Sequence, residues 1–141
     1  MTLDIARYRR LMHEVGLILC AEVTRDLDLR NFPVDVGGDR PFEGQVLSQL
    51  DSVVIPLLRA GLGFEHAFFE LMPMARTGHI GLFHDQDEQG QRIGGALVHY
   101  LTSFPTTPAT DFFLLDPILV TGQTMSKAVR LLRDAGVPNE R

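Results

Sequence analysis

Two apolar runs of strand length constrain the fold of this chain more than any other feature. "SVVIPLL" (Ser52–Leu58) and "DFFLLD" (Asp111–Asp116) are apolar at nearly every consecutive position rather than at alternating ones. Such a run is typical of a β-strand that is buried on both faces, as in a parallel sheet covered by helices. Each run passes through a turn that contains glycine into a segment with helical spacing of its apolar residues. This order predicts an α/β fold with a mainly parallel sheet and flanking helices.

The rest of the chain supplies further elements around these two units. Apolar residues at three- and four-residue spacing predict a helix from about Leu3 to Glu22. The Asp-, Gly- and Pro-rich segment after it is interpreted as a loop with at most one short edge strand. The other predicted elements are a helix (Phe64–Met72), a strand (Thr77–Phe83), a polar loop ("HDQDEQGQR"), a returning strand ("GALVHYLTSF") and a helix (Thr124–Ala135) that ends at Gly136. With 141 residues we expect one domain, in which residues 1–50 form an N-terminal helix and loop and residues 51–141 form the α/β core.

Composition argues against several classes of protein. The net charge of -5 makes nucleic acid an unfavourable main partner, because binding to the phosphate backbone needs a basic face. No apolar run is long enough to predict a membrane span, and the charged N-terminus does not resemble a signal peptide. We therefore expect a cytoplasmic protein. Cys20 is the only cysteine and lies in an apolar segment, which indicates an unreactive core thiol.

The turn after "DFFLLD" has the composition of a phosphate-binding loop. In open α/β sheets, ligands bind at the carboxyl ends of strands, close to helix N-termini. The backbone N–H groups and hydroxyls of "TGQT" (Thr121–Thr124) can surround one phosphate, and Asp116 can accept hydrogen bonds from sugar hydroxyls. A Walker loop is excluded because no Gly-Lys-Ser/Thr follows. The alternative makes Thr124 an ordinary helix N-cap and Asp116 a turn residue.

The turn after "SVVIPLL" is a second candidate. Gly61 and Gly63 match the start of a dinucleotide-binding fingerprint, but His66 occupies the position of its third glycine, so that interpretation is excluded. Arg59 and the glycine-containing turn can bind an anion through the guanidinium group and backbone amides. The alternative is an exposed arginine beside an ordinary glycine turn.

The histidines give weaker signals. His13 and His66 are predicted on helices, at the surface or at the edge of the core. His84 and His99 flank the polar loop, where they can meet a ligand. No set of His, Asp and Glu residues has the spacing of metal ligands, so no metal site is predicted.

Four segments together resemble the uracil phosphoribosyltransferase family. They are "AEVTRDL" (Ala21–Leu27), "IPLLRAGLG" (Ile55–Gly63), "PMARTGHIGL" (Pro73–Leu82) and "LLDPILVTGQT" (Leu114–Thr124), in the order and spacing of that family. The resemblance implies a type I phosphoribosyltransferase fold. It also implies transfer of phosphoribose from 5-phosphoribosyl 1-diphosphate to uracil, usually with Mg²⁺, giving UMP and diphosphate.

The resemblance further implies roles for individual residues. Thr121 to Thr124 would bind the 5′-phosphate, and Asp116 would bind the ribose side as the candidate catalytic residue. The diphosphate would be bound by the turn at Arg59. The implied substrate-binding residues are Arg59, Ala60, Gly61, His84, Asp116, Leu119, Val120, Thr121, Gly122, Gln123 and Thr124. Mg²⁺ is expected to arrive with the substrate, without a dedicated protein site.

Three positions depart from the family pattern. Gln123 stands where the family usually has a second glycine, His84 where it has an arginine that reaches the diphosphate, and Ser103 where the returning strand often has lysine. The C-terminal part that recognises uracil in the family has no match here, so we expect little UMP synthesis from this chain alone.

These departures leave more than one function open. The chain is either an enzyme of the uracil phosphoribosyltransferase family or a non-catalytic module that binds phosphoribosyl diphosphate or a nucleotide, as a regulator or subunit. A gene fragment that folds poorly is a third interpretation. We expect a sugar phosphate and uracil as ligands, with no nucleic acid or membrane. We also expect a homo-oligomer or a partner chain, because "DFFLLD" would lack one neighbouring strand.

Overall fold

The computed structural model describes residues 4–37, 41–48, 51–89, 92–102, 107 and 109–138, and for residues 84–86 and 92–99 it describes the backbone alone. The elements in chain order are α1 (Ile5–Val23), β1 (Leu29–Val34), β2 (Phe42–Leu47), β3 (Ser52–Leu58), α2 (Leu62–Leu71), β4 (Arg76–Thr77), β5 (Ile80–Gln86), β6 (Arg92–Leu101), β7 (Asp111–Leu115) and α3 (Gln123–Asp134). None of the described helices is long and apolar enough to cross a membrane.

The middle strand of the main sheet is β3, which is parallel to its neighbours on both sides. It pairs with β4 and β5 on one side and with β7 on the other, and β6 continues the sheet antiparallel to β5. Strand β7 pairs with β3, and no second described strand lies beside it. The predicted α/β fold with a mainly parallel sheet is confirmed, and the strand predicted over Ser52–Leu58 has those bounds.

Helices cover β3 on both faces, which explains why its apolar residues do not alternate with polar ones. Val53 and Ile55 share a hydrophobic cluster with Leu132 of α3. Val54 belongs to a second cluster, which contains Phe68 of α2. Burying side chains of this size contributes about 1.5–3 kcal/mol each, so this strand alone accounts for much of the core.

Helix α1 packs closely on α2 because a glycine lies at the contact. A Cβ atom on the buried Gly16 would be 2.8 Å from the Cβ of Ala67, which is closer than two side chains can approach. Cys20, one turn further along α1, is fully buried, and burial raises the pKa of its thiol. This agrees with the interpretation of Cys20 as an unreactive core residue. The close contact sets the distance between the middle of α1 and the middle of α2.

The structure differs from the sequence-based prediction in three stretches. The strand predicted over Thr77–Phe83 is divided, since β4 ends at Thr77 and β5 begins at Ile80. The segment predicted as a loop with one short edge strand forms a complete hairpin, in which β1 pairs antiparallel with β2. The predicted polar loop is shorter than expected, because β5 extends to Gln86 and β6 begins at Arg92. Antiparallel backbone pairing forms the strands of the hairpin and the paired ends of β5 and β6, although these sequences lack a continuous apolar face.

Helix α3 is bounded by two glycines with positive φ. Gly122 (φ 74°) precedes the helix, so Thr124 lies inside the first turn and its interpretation as the N-cap is wrong. Gly136 (φ 91°) follows the helix, as predicted. The N–H of Val137 donates to the carbonyl of Leu132 at 3.0 Å, which is the long hydrogen bond of a Schellman motif.

The amino ends of the parallel strands are joined by a carboxylate. Asp51 accepts hydrogen bonds from the Nη2 and Nε of Arg76, at 2.6 and 3.0 Å, and from the hydroxyl of the buried Thr110. The hydrogen bond from Thr110, together with those from Arg76, lowers the pKa of Asp51 from its ordinary value. This network lies at the opposite end of the sheet from the turns that follow β3 and β7.

Candidate functional site

The two turns identified from the sequence lie side by side at the carboxyl edge of the sheet. Strands β3 and β7 are parallel neighbours, with Pro56 opposite Leu115. A Cβ atom on Gly61 would lie 2.2 Å from the carbonyl oxygen of Leu115 and 2.6 Å from the backbone nitrogen of Leu57. Since the φ of Gly61 is -59°, lack of space and not backbone conformation requires glycine here. Any side chain at Gly61 would push the two turns apart.

A cavity of about 280 Å³ opens between these turns, and we call it the loop cavity. Eight of the implied substrate-binding residues line it, namely Ala60, Asp116, Leu119, Val120, Thr121, Gly122, Gln123 and Thr124. Its other lining residues, which the sequence did not single out, are Leu57, Leu58, Leu82, Ile118 and Met125. These five are apolar, and no local pattern in the sequence marks them. Leu57, Leu58 and Ile118 lie at or just beyond the end of a strand, whereas Leu82 and Met125 lie inside β5 and α3.

The loop before α3 presents hydrogen-bond donors to the loop cavity. Thr121 Oγ1 accepts a long hydrogen bond of 3.4 Å from the N–H of Gln123, and no side chain caps the helix. The first N–H groups of an α-helix have no acceptors within the helix. Together with the positive end of the helix dipole, they favour an anion at the start of α3.

The apolar part of the same loop is exposed. Ile118, Leu119 and Val120 are 64%, 67% and 86% exposed. Asp116 orders the beginning of the loop, since its Oδ1 accepts a hydrogen bond of 3.2 Å from the N–H of Ile118. Contiguous exposed apolar residues beside polar ones are typical of a binding surface rather than of the protein core.

The turn after β3 faces more than one cavity. Ala60 lines the loop cavity, whereas the exposed Arg59 lines two neighbouring cavities. The peptide bond between Leu58 and Arg59 is cis. Arg59 thus lies beside the loop cavity and is not part of its lining.

Two histidines lie outside the loop cavity and next to glutamates. His79 Nε2 is 3.4 Å from Glu65, and His13 Nε2 is 3.1 Å from Glu70. The described residues contain no group of three His, Cys, Asp or Glu side chains that could hold a metal ion.

Comparison with known proteins identifies the family. The family model described as uracil phosphoribosyltransferase matches residues 2–141. The chain belongs to the uracil phosphoribosyltransferase family.

Two curated uracil phosphoribosyltransferases illustrate the extent of the match. The chain is 35% identical over 133 residues to that of Ralstonia pickettii, covering 94% of this chain and 58% of that protein. It is 34% identical over 134 residues to that of Finegoldia magna, covering 94% of this chain and 61% of that protein. The chain thus spans about three fifths of the length of these relatives.

Solved structures show the same fold. A protein from Aquifex aeolicus aligns with a TM-score of 0.79 at 24% identity, over 96% of this chain and 62% of its own. A hypoxanthine phosphoribosyltransferase from Staphylococcus aureus aligns with a TM-score of 0.58 at 15% identity, over 92% of this chain and 59% of its own. These likenesses confirm the predicted phosphoribosyltransferase fold.

Of the three residues that depart from the uracil phosphoribosyltransferase pattern, the structure describes the side chain of Gln123 alone. Gln123 is the first residue of α3, and the positive φ of this turn lies at Gly122, so the turn does not need a second glycine. The side chain of His84, the side chain of His99 and the whole of Ser103 lie outside the described residues. The roles suggested for them stay predictions.

Proposed function

We propose that this chain binds 5-phosphoribosyl 1-diphosphate in the loop cavity, for the transfer of phosphoribose to uracil with formation of UMP and diphosphate. The observation that supports this most is the opening of the start of α3, with Thr121 and Thr124, into a cavity that the Ala60 turn also lines. Family membership supports the choice of substrate. A cytoplasmic location stays a prediction from the sequence.

The 5′-phosphate would bind at the start of α3. The N–H groups of the first helical turn and the hydroxyls of Thr121 and Thr124 supply donors without any positively charged side chain. Phosphate groups are commonly bound at helix N-termini in this way. Gly122 permits the turn, because its φ of 74° is unfavourable for residues with a Cβ atom.

Asp116 would bind the ribose. One of its carboxylate oxygens holds the loop through Ile118, and the other can accept hydrogen bonds from ribose hydroxyls. Departure of diphosphate leaves positive charge on the anomeric carbon, and a carboxylate held nearby stabilises that charge. The remaining requirement is to orient the two reactants, which is the main contribution of binding sites in reactions of this type.

Mg²⁺ would reach the site bound to the diphosphate group. The described residues offer no cluster of three suitable side chains that would hold a free ion. Magnesium prefers phosphate oxygens and water, with one or two carboxylates at most. We therefore propose that phosphate oxygens and water hold the ion.

The transfer is tested by incubating the protein with uracil and phosphoribosyl diphosphate and measuring UMP by chromatography. UMP that depends on both substrates would support the enzyme, and robust UMP formation would contradict the expectation of little synthesis by this chain alone. Binding of phosphoribosyl diphosphate without UMP would favour the non-catalytic binding module.

We also propose that the chain forms a homodimer through α1. Apolar side chains that are exposed along this helix form what we call the α1 outer face, which consists of Ile5, Tyr8, Leu11, Val15, Ile18, Leu19 and Val23. A soluble protein rarely leaves so long an apolar surface uncovered. The N-terminal half of the helix and its N-cap carry three arginines and one aspartate, whereas the C-terminal half carries two glutamates. Two antiparallel copies related by a two-fold axis would therefore bring opposite charges together.

Light scattering tests the homodimer with a matched pair of variants. Ile18→Glu places a charge on the α1 outer face, where the side chain is 70% exposed, and should give a folded monomer. Met74→Glu changes a residue that is 79% exposed outside that face, and should leave the dimer intact. A monomeric parent protein would contradict the proposal.

A further inference from the structure

A second cavity, of about 530 Å³, lies between α1 and α2 and shares Ala60 with the loop cavity. Its lining includes Arg9 and His13 from α1, Arg59 from the turn after β3, and His66 from α2. We call these four residues the arginine–histidine pocket. Sequence patterns placed both histidines on helices and gave Arg9 no role, because their proximity depends on the packing of the two helices.

The pocket is rich in hydrogen-bond donors and has no carboxylate among the described residues that line it. Each guanidinium group offers five N–H donors in a fixed arrangement. The ring centroids of His13 and His66 are 5.5 Å apart. Glu70, whose Oε2 is 3.1 Å from His13, is not part of the lining. A surface of this kind recognises an anion with several acceptor oxygens, and arginine pairs with phosphate through two parallel hydrogen bonds.

Packing between the helices holds the pocket in place. The contact of Gly16 with Ala67 fixes the distance between α1 and α2. Nearer the pocket, a Cβ atom on Gly63 would lie 3.2 Å from the end of Met12, so the first turn of α2 also approaches α1 closely. Arg9 and Arg59 belong to different elements, yet both are carried by backbone that this packing positions.

We propose that the arginine–histidine pocket binds a diphosphate group, with Arg9 as a second guanidinium beside Arg59. This inference rests on the proposed function, since Arg59 belongs to the turn assigned to the diphosphate. It adds a role in ligand binding for α1. The diphosphate can be the arm of phosphoribosyl diphosphate or the free product, and both present the same oxygens. Two arginines from separate elements match the two phosphates of a diphosphate group better than they match a single phosphate.

Isothermal titration calorimetry with two probes tests the pocket. Inorganic diphosphate probes the arginine–histidine pocket, and ribose 5-phosphate probes the loop cavity. Arg9→Ala should weaken diphosphate binding by roughly tenfold or more, the effect expected for losing a hydrogen bond to a charged group, and should leave ribose 5-phosphate binding unchanged. Arg10→Ala is the matched control, because Arg10 is the next residue of the same helix and does not line the pocket.

The two probes separate failure of this inference from failure of the proposed function. Equal diphosphate affinity in the parent and Arg9→Ala would overturn the inference, whatever ribose 5-phosphate does. No binding of ribose 5-phosphate by the parent would contradict the proposed function instead. Weaker binding of phosphoribosyl diphosphate by Arg9→Ala would assign the pocket to the substrate arm. An effect limited to free diphosphate would assign it to the product.

Discussion

The two turns at the carboxyl edge of the sheet are held in different ways. The turn at Gly61 is fixed by packing, since its backbone is in contact with the end of β7. The loop from Asp116 to Gly122 is largely exposed, and its two side-chain hydrogen bonds are long, at 3.2 and 3.4 Å. The carbonyl of Gly122 accepts a shorter one, of 2.8 Å, from the N–H of Ser126 in α3. We therefore expect folding to fix the first turn, and ligand binding to contribute to the order of the second. Substitutions in the first should change stability, and substitutions in the second should change ligand affinity.

The largest effect is expected for Gly61→Ala. The new methyl group would overlap the carbonyl oxygen of Leu115, and overpacking against backbone should lower the free energy of unfolding by about 3 kcal/mol. Gly63→Ala is the control, because its methyl group would meet the flexible end of Met12. Urea denaturation measures both. Equal stability of Gly61→Ala and the parent would show that the turn is not fixed by packing.

Asp51→Asn gives a reference at the opposite end of the sheet. Its carboxylate is about one third exposed, so losing its charged hydrogen bonds should lower the free energy of unfolding by about 1 kcal/mol at pH 7. Because folding lowers the pKa of Asp51 from 3.8, this stabilisation is present above pH 4 and is lost as the pH falls through the lowered pKa. The difference in free energy of unfolding between Asp51→Asn and the parent should shrink in that acid range. The affinity for phosphoribosyl diphosphate should stay unchanged. A difference that does not depend on pH would contradict the role of the charge.

Gly122→Ala should act on both stability and binding. A residue with a Cβ atom at φ 74° costs about 1 kcal/mol, and relief of that strain would move the N–H groups at the start of α3. Thermal unfolding and calorimetry with ribose 5-phosphate measure the two effects. Weakened stability with full affinity would show that the loop does not need this conformation to bind phosphate.

Thr124→Ala should have the smallest effect on stability. Thr124 is not the N-cap of α3, so the change in free energy of unfolding should stay below about 0.5 kcal/mol. Loss of a hydroxyl that binds phosphate should still weaken ligand binding by roughly fivefold. A stability loss without an affinity loss would return Thr124 to a purely structural role.

The sequence predicts the core of this fold well because burial leaves a simple pattern. The apolar run of β3 and the glycine that ends α3 were recognisable from the local sequence alone. The β1–β2 hairpin was not, because none of its strand residues is buried and β1 contains Pro33, so neither alternation nor propensity marks the strands. Its pairing depends on backbone hydrogen bonds that a sequence pattern does not show.

The candidate site was predictable to the level of its two turns and no further. Strand ends followed by glycine and hydroxyl residues indicated where an anion would bind, and the topology places those turns together. The meeting of Arg59 and Arg9 in one cavity depends on how α1 packs on α2. No local pattern specifies that packing, since the decisive contact joins Gly16 to Ala67.

Calorimetric titration with phosphoribosyl diphosphate and Mg²⁺ tests the central claim most directly. We predict saturable binding to a single site, together with a gain in unfolding free energy of about 2.7 kcal/mol at a ligand concentration 100 times the Kd. Thr121→Ala, which removes one hydroxyl of the loop cavity, should weaken that binding. Absence of binding and of thermal stabilisation at millimolar ligand would contradict the assignment of the loop cavity as a sugar-phosphate site.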